Sequence, residues 1–151
     1  MIKVIPKKNK IAAEIICDVK NIKKAEIKKI KSTLNNCGMI YFRNQNLSSN
    51  NYLKFAKKLG IPADYPRLKG LNPRYSKITV VERKVTDKGP SFGEQFHNDS
   101  IYTKKPPRFT MLLSKLVPRQ EQANTEFSSQ YLAYKNQTIN VKKKYKKIKT
   151  N

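Results

Sequence analysis

The segment SFGEQFHNDSIYTKKPPRF, residues 91–109, holds the only histidine of the 151-residue chain, His97, and places a carboxylate, Asp99, two positions after it. On an extended backbone, residues i and i+2 point to the same side, so this imidazole and this carboxylate can converge on one point. One nitrogen and one oxygen donor suit a divalent first-row metal. They also fill two corners of the two-histidine, one-carboxylate face that leaves three coordination positions open. The competing reading is plainer: His-x-Asp is short enough to arise by chance, and a lone histidine is commonly a satisfied surface or core residue.

The elements that must position this pair are readable from periodicity. IAAEII (Ile11 to Ile16) reads as a short strand, after which the pattern changes period. Ile27, Ile30 and Leu34 then fall on one helical stripe with lysines opposite, and Gly38 is a helix stop. MIYF (Met39 to Phe42) is a second strand. Ser48 or Ser49 caps a second helix whose apolar face carries Tyr52, Phe55, Ala56 and Leu59 and which can close at Gly60. A loop rich in Pro, Gly and Arg runs from Ile61 to about Ser76. KITVVER and RFTMLLSKLVP, on either side of the histidine segment, read as strands, and SSQYLAYKN reads as a short helix capped by Ser128 or Ser129. This order predicts an α+β fold with an antiparallel sheet or barrel, because regular βαβ alternation stops at Gly60.

Composition narrows the function classes. A formal charge of +23 raises a nucleic-acid interface, but Lys is spread along the whole length, Arg is scarce, and Asn and Ile are abundant, as A/T-rich coding produces. The densest run, VKKKYKKIK from Val141 to Lys149, reads first as a solvated helix face. No helix-turn-helix, aromatic ribonucleoprotein motif or finger spacing accompanies it. Cys17 and Cys37 are too few for a disulfide framework and too far apart for a zinc knuckle, and are expected as buried thiols. No apolar run approaches the roughly 18 residues that span a bilayer, and the N-terminus lacks a signal-peptide core, so a soluble cytoplasmic protein without a membrane partner is expected.

The neighbours of His97 carry a more specific signal. Phe96-His97-x-Asp99 is followed by Pro106-Pro107, Val117-Pro118, then Thr125, Phe127 and Ser128, then Ala133-Tyr134. This order resembles the TauD/TfdA group of Fe(II)- and 2-oxoglutarate-dependent oxygenases. Upstream, CGMIYFRNQNLSSNNYLKFAKKLGIP is similar to that family's N-terminal segment, so the likeness spans about Ile11 to Asn136. It covers the first half or so of the family's usual domain.

The resemblance implies that His97 and Asp99 are two of three protein ligands to Fe(II), and that Thr125 hydrogen-bonds the carboxylate of the cosubstrate 2-oxoglutarate. Oxidative decarboxylation to succinate would then drive hydroxylation of a small organic acid or amine. Gln122-Ala123-Asn124 stand where the family has Gly-Gly-Asp, so Thr125 can equally be a plain strand residue. Phe96 replaces the family's common Trp and is assigned to packing, and Arg43 to structure. Phe92 and Tyr102 either line a substrate pocket or belong to the core. The family's second histidine and its 2-oxoglutarate-binding arginine lie far C-terminal, whereas here there is no second histidine and the last arginine is Arg119. The expectation is therefore one truncated TauD/TfdA-like domain over 1–151, with an incomplete double-stranded β-helix (jelly-roll-like) core and N-terminal helices on the sheet. Residues 137–151 form a basic tail, helical or frayed. Such a chain alone is expected to be inactive or nearly so and prone to self-association, its partners being a small-molecule substrate and a missing C-terminal half. The alternatives are a non-catalytic degenerate member of the family and a basic nucleic-acid-binding module.

Overall fold

Ala13 and Ile15 alternate with Ala12, Glu14 and Ile16 along a five-residue strand, and this period of two decides which face is buried: Ala13 and Ile15 are almost wholly inaccessible. The computed structural model describes residues 2–119 and 124–148. The strand, β2 (Ala12–Ile16), is central in a three-stranded sheet ordered β1-β2-β3. β1 (Lys3–Pro6) pairs with it antiparallel, Lys3 opposite Ile16, and β3 (Met39–Tyr41) pairs parallel, Glu14 opposite Tyr41. The β1–β2 turn is tied by Lys7 N–H to the Ala12 carbonyl at 2.8 Å and passes through Lys10 at φ 59°.

Parallel pairing of β2 and β3 demands a long crossover, which is supplied by α1 (Lys24–Cys37). Its apolar stripe is as expected: Ile27 and Ile30 are buried and Leu34 half-buried. Glu26 in the first turn accepts from the Lys23 N–H at 2.9 Å, the reach-back half of a capping box. That bond holds the Glu26 carboxyl below the usual carboxylate range. The helix stops at Gly38, at φ 79°, whose N–H donates to the Leu34 carbonyl.

Contact density divides the chain into two units. One comprises Met1–Cys17, Lys28–Asn44 and Pro118–Asn151; the other, Asp18–Ile27 and Gln45–Val117. In the first, Glu14 is a polar node on the sheet face opposite Ala13 and Ile15. It accepts from the Tyr41 hydroxyl at 3.2 Å and lies 3.7 Å from Arg43 and 4.0 Å from Lys7, both of which also stack on the Tyr41 ring. This unit also holds α3 (Gln130–Lys135), capped by Ser129, and α4 (Ile139–Tyr145), capped by Thr138.

In the second unit a 3-10 turn (Val19–Asn21), capped by Asp18, and α2 (Ser49–Leu59), capped by Ser48, surround a small core that includes Val19, Ile22, Leu47 and Phe55. Lys58 donates to the Ile22 carbonyl at 2.8 Å and Val19 N–H to Gln45 Oε1 at 3.2 Å, fastening the two pieces.

Several expectations need correction. β1 was not foreseen, being short and ended by Pro6, which an edge strand tolerates. Cys17 and Cys37 are thiols as expected, but half-buried. KITVVER and RFTMLLSKLVP are not ladder strands: the first makes only an isolated bridge, Gly70 to Thr79. The second keeps the pleat, with Phe109, Met111 and Leu113 half-buried and Thr110 and Leu112 exposed. It is fastened by side chains: the Tyr52 hydroxyl donates to the Met111 carbonyl and Lys115 Nζ to the Leu47 carbonyl. Alternation in sequence shows which face is apolar, but a strand also needs a neighbouring strand to take its N–H and C=O groups in a ladder, and among the described residues neither segment has one. Gln122 and Ala123, in the turn before Thr125, and residues 149–151 of the basic tail lie outside the described residues. Among the described residues no helix is long and apolar enough to cross a membrane.

Candidate metal centre

The loop that carries His97 lies in the second unit and is built from turn chemistry. Asp87 Oδ2 accepts from Lys84 N–H at 2.8 Å and Glu94 Oε2 from Ser91 N–H at 2.6 Å, each a side chain folding back three residues. Arg83 spans the base of the loop, with Nη1 donating to Ser91 Oγ at 2.7 Å and Nη2 to the Gly89 carbonyl at 2.9 Å. Beyond Asp99 the backbone turns at Ser100, buried and at φ 50°, whose carbonyl accepts from both the N–H and the hydroxyl of Thr103.

Between these turns the pair converges: His97 Nε2 stands 3.3 Å from Asp99 Oδ1. His97 Nδ1 lies 2.7 Å from the Gln95 carbonyl. A carbonyl only accepts, so Nδ1 carries a proton, and the ring in its neutral form presents its lone pair at Nε2. Two acceptors then face each other, an arrangement that either a second proton or a cation between them satisfies. With metal–donor bonds of about 2.1 Å, cis ligands at about 90° sit about 3.0 Å apart, and 3.3 Å corresponds to an angle of about 104°. The donor set and its spacing fit two adjacent ligands of one divalent ion. Among the described residues no group of three His, Cys, Asp or Glu side chains assembles, so the pair is not joined by a third ligand there.

The other residues singled out are placed as follows. Thr125 is exposed, in the irregular segment before α3, and belongs to the first unit. Phe96 is 71% exposed, which corrects its assignment to packing: no apolar surface covers it among the described residues. Phe92 meets Tyr65 edge-on at 6.5 Å, and Tyr102 lies under the Arg67 guanidinium at 4.5 Å; both rings are more than half exposed and so are not core. The Gln95 carbonyl and Arg83 were missed by sequence reasoning, because both act through hydrogen bonds that no residue spacing announces.

A family model described as taurine catabolism dioxygenase TauD, TfdA family matches residues 3–150. The chain belongs to that family. The match extends the segment over which the sequence resembled the TauD/TfdA group in both directions. Among solved structures, a Burkholderia xenovorans protein assigned as an alpha-ketoglutarate-dependent taurine dioxygenase is similar at 23% identity, with a TM-score of 0.46, over 50% of this chain and 28% of its own. The match thus takes in well under half of that relative's length.

Proposed function

We propose that this chain carries part of the site of an Fe(II)- and 2-oxoglutarate-dependent dioxygenase that hydroxylates a small organic acid or amine, in a domain of the double-stranded β-helix type. The observation that carries the proposal is the convergence of His97 Nε2 and Asp99 Oδ1 with the Nδ1 proton already committed to Gln95. Family membership supports the chemistry.

In this reading His97 and Asp99 hold the iron through one nitrogen and one oxygen. When bound, iron with 2-oxoglutarate supplies the oxidising chemistry that attacks a C–H bond. The Gln95 carbonyl keeps His97 Nδ1 protonated, so the lone pair at Nε2 stays available, and Asp99 contributes the negative charge that a divalent ion needs. Thr125 would hydrogen-bond a 2-oxoglutarate carboxylate. In this reading a second histidine as third ligand would be supplied by another polypeptide, because His97 is the only histidine here and two protein ligands leave the ion held mostly by water.

The test is succinate formation from 2-oxoglutarate under air with Fe(II). The chain alone should form none. Addition of a polypeptide supplying the rest of a TauD/TfdA domain, with its histidine and arginine, should produce succinate that the His97→Ala variant loses. Fe(II)-dependent turnover by the chain alone would overturn the incomplete-site reading, and succinate unaffected by His97→Ala would overturn the ligand assignment.

A further inference from the structure

We propose that Gly93 is a positioning residue: its bare backbone is the seat against which the His97 imidazole lies, and it thereby aims Nε2 at Asp99. The inference deepens the metal reading and rests on it for what the aimed nitrogen does.

The observation is a close approach. A Cβ on Gly93 would stand 3.2 Å from His97 Cε1 and 3.8 Å from Nε2. That is a few tenths of an ångström inside ordinary contact, and because Cε1 is bonded to both ring nitrogens, any shift of it moves Nδ1 against the Gln95 carbonyl at 2.7 Å and Nε2 against Asp99 Oδ1 at 3.3 Å.

Which side would yield is decided by what holds each. The Gly93 backbone belongs to a turn fixed by Arg83 on Ser91 and Gly89 and by the reciprocal Ser91–Glu94 bonds. The His97 side chain is 51% exposed, so the ring has solvent to shift into. The ring moves and the turn stays. Gly93 also sits at φ 74°, where L-residues other than Asn and Asp are strained, so a substitution carries a backbone penalty as well. The same loop provides the control. Gly89 has φ 87°, yet a Cβ there meets nothing within 4 Å, so Gly89→Ala carries the backbone penalty without the contact. Gly93→Asn does the reverse, tolerating the backbone angle while adding the Cβ.

The experiment reads the two ring nitrogens of the single histidine by 15N NMR, on the alkaline side of the ordinary histidine range, together with Ni(II) affinity by calorimetry. Wild type should show the proton on Nδ1. Gly93→Ala and Gly93→Asn should move the tautomer balance toward Nε2–H and weaken Ni(II) binding about tenfold or more, as loss of an orienting contact does. Gly89→Ala should leave both readouts at wild-type values. Retention of the Nδ1 proton and of affinity within about threefold in Gly93→Asn would overturn the proposal, as would an equal loss in Gly89→Ala. If wild type fails to bind Ni(II) while the Gly93 variants still shift the tautomer, the positioning role stands and the metal reading falls.

Discussion

Replacing Asp99 by Asn removes one negative charge and keeps the oxygen that faces His97. A carboxylate about 2.1 Å from a divalent ion contributes about 4 kcal/mol of attraction at the dielectric of water. The high figure is the appropriate dielectric because the His97 and Asp99 side chains are 51% and 36% exposed. The amide oxygen of Asn retains a dipolar contact, so about half of that attraction should be lost, about 2 kcal/mol or about thirtyfold in Ni(II) affinity. Calorimetry at fixed ionic strength measures it. Asp87→Asn is the matched control, since it makes the same change of charge in the same loop at a carboxylate engaged by Lys84 N–H. The reasoning is refuted if Asp99→Asn binds Ni(II) within about threefold of wild type, or if Asp87→Asn weakens binding equally.

Two further outcomes concern the scaffold. Burial pushes the Tyr52 phenol up to about 12, so its folded-state value lies above the unfolded one; the associated stability is complete below pH ~10 and fades as pH rises toward the folded value. Tyr52→Phe should flatten that alkaline loss in urea melts and, by removing the bond to the Met111 carbonyl, cost about 1 kcal/mol at neutral pH. Ile30→Ala, at a side chain with no accessible surface, should destabilise by about 2–5 kcal/mol, whereas Ile61→Ala, at one almost wholly exposed, should change stability by less than about 0.5 kcal/mol; paired denaturant titrations decide.

The helices and caps were legible because their determinants are local: Ser48 bonds Asn51 N–H three residues on, and the Ile27, Ile30 and Leu34 stripe needs only helical period. Thr125 shows the opposite case, since nothing within its own segment fixes what it touches. The extended run Phe109 to Leu113 has the alternation of a strand and still forms none, because pairing belongs to the neighbour as much as to the segment. The His97–Asp99 convergence was visible as an i, i+2 spacing. The tautomer that makes it chemically useful was not, because it depends on a backbone carbonyl, and every residue offers much the same carbonyl.

Because His97 is the only histidine, its two nitrogens can be followed without assignment ambiguity during a titration with Zn(II). The account predicts that the Nε2 resonance moves with added metal while Nδ1 keeps its proton, and that Asp99→Asn blunts the change. A ring that ignores Zn(II), or that takes it up at Nδ1, would contradict the account.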